Sequence, residues 1–97
     1  MSETTYRLVL HREAVSEIRK LPRKVRLQVR DVIDGLALEP RPANSEKLKG
    51  RSGSYRIRVG TYRVVYEIHA TEIVVYVIGV AHRKKAYLRL LRRNSLS

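Results

Sequence analysis

The chain has 97 residues, enough for one small hydrophobic core and too few for two. It contains no cysteine, which excludes a disulfide framework and a thiolate metal site, and no apolar run approaches the roughly 18 residues of a membrane span. Its 21 Lys and Arg against 9 Asp and Glu leave a net charge of +12, unevenly placed: residues 1–50 carry +4 and residues 51–97 carry +8. A clustered surplus of this kind points to a polyanionic partner, and an N-terminus without a basic start and a long apolar stretch points to the cytoplasm.

Along the chain, "TYRLVLH" alternates, with Tyr6, Leu8 and Leu10 on one face of a short strand and Val9 on the other. The period then changes. Ala14, Ile18 and Leu21 recur at helical spacing, Pro22 closes that helix or opens the next, and Val25, Val29, Val32, Ile33 and Leu36 form a second, stronger stripe. Between Gly35 and Gly53, Pro40, Pro42, Asn44, Ser45 and Gly50 interrupt regular patterning, so "SEKLKG" reads as a loop that brings Glu46 toward the sheet. Strands are expected at 54–59 and 62–69, joined by Gly60-Thr61 as a type II′ turn. The nearly continuous apolar segment 72–80 suits a strand covered on both faces. The basic tail then carries Tyr87, Leu88 and Leu91 as one side of a short helix.

The fold expected is therefore α+β, in the order β-α-α-β-β-β: two N-terminal helices packed on a small, mainly antiparallel sheet, with a short helical tail and a single domain over 1–97.

The two-residue turn sets the hairpin register: Val59 faces Tyr62, Arg58 faces Arg63 and Arg56 faces Val65. One face holds Tyr55, Ile57, Val59, Tyr62, Val64, Tyr66 and Ile68, which satisfies a core, so these tyrosines read as packing. The arginine face is not needed for folding. Opposed like charges destabilise a sheet by up to roughly 1 kcal/mol, which a solvated edge or a bound anion would relieve. Guanidinium groups suit phosphate because they bind it in a bidentate fork and stay charged.

The segments "KLKG", "SYRIRVGTYRVVYEI" and "IVVYVIGVAHRKKAY" resemble the RelE/ParE superfamily of toxins from toxin-antitoxin modules, over essentially the whole chain. The resemblance implies a ribosome-dependent endoribonuclease that cuts messenger RNA in the ribosomal A site; ParE-like members share the fold but poison DNA gyrase. By position, it implies phosphate-binding and C-terminal site residues at Arg56, Arg58, Arg63, Arg83 and Tyr87. RelE has lysines where this chain has Arg56 and Arg58, and arginine does not act as a useful proton acceptor. A YoeB-like branch uses a glutamate and a histidine as base and acid, and Glu46 and His82 fall at matching places.

Cleavage by the 2′-hydroxyl needs a proton removed, charge on the phosphorane stabilised and the 5′-oxygen protonated. Glu46 could take the first proton, Arg56, Arg58 and Arg63 the charge, and His82 could deliver the second, with Arg83 or Tyr87 as substitutes. Tyr87 could equally stack on a base or pack the last helix. Lys47, Lys49, Arg51, Lys84, Lys85, Arg89, Arg92 and Arg93 are candidates for general RNA and ribosome contact. His11 and His69 read as a helix-start and a hairpin-end residue, and no metal set or cofactor is expected. The partners implied are messenger RNA, the ribosome and a neutralising, partly acidic RelB-like antitoxin, with no membrane. A ParE-like gyrase inhibitor and a non-catalytic nucleic-acid-binding module are the alternatives.

Overall fold

The computed structural model describes residues 4–93 of the chain. The expectation of one domain over 1–97 extends to residues 1–3 and 94–97, which lie outside the described residues. The elements are β1 (Arg7–Leu10), α1 (Arg12–Arg19), α2 (Arg23–Leu36), β2 (Ser45–Lys47), β3 (Ser54–Val59), β4 (Tyr62–His69), β5 (Val74–Ala81) and α3 (Lys84–Leu90). The five strands form one sheet in the order β1-β5-β4-β3-β2, with β1 parallel to β5 and the remaining pairs antiparallel.

Local chemistry explains the boundaries. His11 caps α1 by accepting a hydrogen bond at Nδ1 from the Glu13 backbone N–H, 3.1 Å. Pro22 stands at the start of α2, where its missing N–H leaves no helical bond unmade. At the β3–β4 turn Gly60 takes φ 62°, and among the described residues Ile73 is the one non-glycine with positive φ, so Thr61 stays negative as a type II′ turn requires. The register is the expected one: Val59 opposite Tyr62, Arg58 opposite Arg63, Arg56 opposite Val65.

The sheet buries both faces, unequally. Val29, Ile33 and Leu36 of α2 and Ala14 of α1 pack with Ile57, Val64, Tyr66, Val75, Val77 and Val80. Val65, Ile78 and Ala81 pack instead with Tyr87 and Leu90 of α3. Because Val64 and Val65 are neighbours on one strand, these clusters lie on opposite faces. A bulge makes this possible for β5: Val65 pairs with Gly79 but Tyr66 with Val77, so Ile78 is an extra residue and the alternation changes phase there. Val75, Val77 and Val80 consequently share the α1/α2 face, which accounts for the unbroken apolar run. α3 and the residue after it turn Tyr87, Leu90 and Leu91 inward; of the expected side Tyr87, Leu88 and Leu91, Leu88 alone stays exposed. Where the sequence suggested a loop, residues Ser45–Lys47 form the edge strand β2.

Beyond Val77 the outer side of β5 has no strand partner among the described residues, because β1 ends at Leu10. Two side chains take its place. Glu17 Oε1 accepts from the Val80 N–H at 2.9 Å, and Arg93 Nη1 donates to the Ile78 carbonyl at 2.9 Å. The two are joined to each other, Arg93 Nη2 to Glu17 Oε2 at 2.8 Å, and Arg93 also reaches Glu13 at 3.4 Å. Gly79 makes room for this clasp: a Cβ there would stand 2.5 Å from Arg93 Nη1, 2.5 Å from Leu90 Cδ1 and 2.7 Å from Glu17 Oε1. The clasp ties the segment after α3 to α1.

Candidate active site

With α1 and α2 on one face and α3 covering the β4–β5 part of the other, the β3 side of that second face stays open, and Arg56, Arg58 and Arg63 project there. Arg56 and Arg63 both lie over the ring of Tyr87, with guanidinium carbons 5.7 Å and 5.2 Å from its centroid. Arg56 Nη1 donates to the Tyr87 hydroxyl at 3.2 Å. Tyr87 thus packs α3 against the sheet, one of the two readings the sequence left open, and the two arginines lie over its ring.

Glu46 joins from β2. It stands directly opposite Arg56 in the β2–β3 register and accepts from Arg56 Nη2 at 2.5 Å. The Arg56 hydrogen bond, helped by the charges of Arg56 and Arg58, holds the Glu46 carboxyl below its ordinary value of 4.5. Since the folded value is depressed, the pairing is complete above the ordinary carboxylate range and is lost as pH falls through the lowered value. In a carboxyl-carbon NMR titration, Arg56→Ala is expected to move the Glu46 midpoint up toward 4.5; an unmoved midpoint would contradict Arg56 as the cause.

Arg58 and Arg63 face each other with no carboxylate within 4.0 Å among the described residues. Together with Gly60, Thr61, Tyr62 and His82 they line a groove of about 340 Å³ at the hairpin tip. The His82 ring lies against Tyr62, centroids 4.3 Å apart and planes 16° from parallel. Arg63 links the two parts of the site, covering Tyr87 on one side and lining the groove with His82 on the other. The Nε groups of Arg56 and Arg63, like Nε2 of the capping His11, are buried with no hydrogen-bond partner among the described residues.

The remaining candidates are dispersed. Arg83 stands exposed at the start of α3 with no side-chain cap bond. Lys47, Lys49, Lys84 and Lys85 are exposed, and Lys85, Arg89 and Arg92 border Leu88 on the outer side of α3. Arg51 donates to the Leu91 carbonyl. Arg93, expected to add general attraction for polyanions, is instead tied into the clasp, its side chain 14% exposed. Tyr62, read from sequence as packing, also forms part of the site. Extending the hairpin register by one step would have found it, since Arg63 pairs with Ala81 and the next residues are Tyr62 and His82.

A family model described as the ParE toxin of type II toxin-antitoxin systems, parDE, matches residues 8–87. The chain belongs to the RelE/ParE toxin superfamily. Within this superfamily it is 32% identical over 83 residues to the mRNA interferase toxin RelE of Escherichia coli, covering 84% of this chain and 86% of that one. The archaeal RelE of a RelE-RelB complex from Pyrococcus horikoshii superimposes with a TM-score of 0.75 at 29% identity, over 84% of this chain and 98% of that one. The intact E. coli RelBE toxin-antitoxin complex contains a chain matching with a TM-score of 0.72 at 34% identity, over 81% of this chain and 98% of that one. The expected α+β architecture is thus the RelE fold. Among the described residues no helix is long and apolar enough to cross a membrane.

Proposed function

We propose that this RelE-like chain is the toxin of a type II toxin-antitoxin module and cleaves messenger RNA on the ribosome, with the RNA's own 2′-hydroxyl as nucleophile. The observation that carries this reading is the grouping of Arg56 and Arg63 over Tyr87, with Arg58 directly opposite Arg63 and Glu46 paired to Arg56, on an open sheet face. Two cations held over a phenol, a third on the same sheet face and a carboxylate match the needs of a phosphorane that gains charge as one proton leaves and another arrives.

In this mechanism Glu46 accepts the 2′-hydroxyl proton, the 2′-oxygen bonds to phosphorus, and the bond to the 5′-oxygen breaks. The Tyr87 hydroxyl, which accepts from Arg56 and so keeps its own proton to give, protonates the departing oxygen. Products are a 2′,3′-cyclic phosphate and a 5′-hydroxyl end. A phosphate that engages Arg56 competes with Glu46 for it, which returns basicity to the carboxylate when substrate is present. The arginines supply the charge stabilisation that a metal ion gives elsewhere. The exposed cations of β2 and α3 give general attraction to ribosomal and messenger RNA.

A cognate antitoxin, RelB-like and partly acidic, fits a chain of net charge +12 whose solved relatives include RelE-RelB complexes. The chain would act where ribosomes are, in the cytoplasm. The test is to map 5′ ends of a defined messenger in a reconstituted translation system, with and without ribosomes. New ends that require ribosomes are expected. Intact messenger with normal protein synthesis would reject the nuclease reading and direct attention to gyrase.

A further inference from the structure

We propose that the stacked rings of Tyr62 and His82 form a nucleobase platform at the tip of the β3–β4 hairpin, holding the base next to the phosphate that Arg58 and Arg63 bind. This inference rests on the RNA-cleaving reading and assigns His82 a role through its ring face rather than its proton.

The platform is a built feature. β4 and β5 pair as far as Arg63 and Ala81, and the following residues, Tyr62 and His82, continue side by side with rings 4.3 Å apart and nearly parallel. Tyr62 is half-buried and packs against the main core, so it is a fixed backing. His82 is exposed and contributes to neither core cluster. Its ring is held by one face against Tyr62, which leaves the other face as a flat aromatic surface of set orientation. A histidine acting as a general acid needs a ring nitrogen aimed at the leaving oxygen; a stack fixes the plane instead.

The surroundings specify the ligand. Among the described residues the groove is lined by two cations, Arg58 and Arg63, and by no carboxylate. Gly60 carries no side chain over the tip, and a Cβ there would meet nothing within 4 Å. The volume of about 340 Å³ is at the lower end of the roughly 300–1,000 Å³ of ligand pockets. A ring face beside two guanidinium groups with no carboxylate partner among the described residues is the arrangement by which proteins hold single-stranded nucleic acid, with bases stacked on aromatics and backbone charge met by arginine. A free anion would need only the arginines, and an apolar ligand would need no cation. The geometry thus favours a nucleotide, its base on His82 and its phosphate on Arg58 and Arg63.

The test uses reconstituted ribosomes programmed with a messenger whose A-site codon is intact or carries one abasic nucleotide at each position in turn. Single-turnover cleavage is followed for the parent protein, His82→Leu and His82→Phe. His82→Leu is expected to cut the intact codon about 10-fold more slowly or worse. His82→Phe, which keeps an aromatic face and has no titratable proton, should rescue most of that loss. Removing one particular base should slow the parent protein by a similar factor and slow His82→Leu no further. A His82→Phe protein as slow as His82→Leu would overturn the platform in favour of proton transfer, with the nuclease reading intact. Base removal that slows parent and His82→Leu equally would overturn it too. A parent protein that leaves every messenger uncut would remove the nuclease reading and the platform together.

Discussion

Arg63→Ala should retain the fold and lose messenger cleavage by about 100- to 1,000-fold, the loss typical when one preorganised donor to a developing anion is removed. The position supports so large an effect because Arg63 belongs to both halves of the site, over the Tyr87 ring at 5.2 Å and beside Arg58 and His82 in the groove. Little stability should follow it. Its removal forfeits a cation–π contact of roughly 0.5–1 kcal/mol, but relieves the repulsion from Arg58 directly opposite, of up to roughly 1 kcal/mol. Arg63→Lys should recover a minor part of the rate, since it restores charge without the two-pronged donor geometry. Single-turnover cleavage read beside a thermal melt decides the matter. A folded Arg63→Ala protein that cuts within about 3-fold of the parent would contradict the proposed site.

The second large effect concerns stability. Glu17→Ala should cost about 2 kcal/mol, below the roughly 3–5 kcal/mol of a fully buried broken pair because Glu17 is 31% exposed. For a chain of this size that corresponds to a melting temperature lower by about 8–16 °C. The variant loses both functions of the carboxylate: it leaves the Arg93 guanidinium short of its partner and the Val80 N–H without an acceptor. Glu17→Gln keeps an acceptor for Val80 and should lose less. Because Arg93 and Glu17 act as one unit, Arg93→Ala added to Glu17→Ala should cost little beyond the single change. Thermal melts of the two single variants and the double variant test this; strictly additive losses would mean that the clasp is not a unit.

The arginine hairpin was legible because every rule it obeys is local. Strand alternation has a period of two, and Gly60-Thr61 leaves one turn geometry that fits the strand twist, so the opposition of Arg58 and Arg63 follows from counting outward from the turn. His11 as the start of α1 was legible for the same reason. Glu46 was placed near the sheet but not in it. A three-residue edge strand flanked by prolines and glycine has no periodicity to read, and it exists because β3 offers it an edge. The side of α3 was misjudged at Leu88 because about two turns of helix allow several apolar faces, and the sheet beneath selects Tyr87 and Leu90, with Leu91 beside them.

The sequence by itself therefore determined the architecture, the charge surplus and the face on which three arginines gather, since alternation, turn chemistry and composition act within a few residues. Tertiary structure decided which of the basic residues gather at the candidate site and which brace the fold. Arg56 meets Tyr87 across 31 positions, whereas Arg93 meets Glu17 across 76 and becomes a strut. A guanidinium is equally suited to phosphate and to carboxylate. Which of the two it meets depends on packing that brings distant segments together: a bulge at Ile78, the absent side chain of Gly79 and a β1 that stops at Leu10.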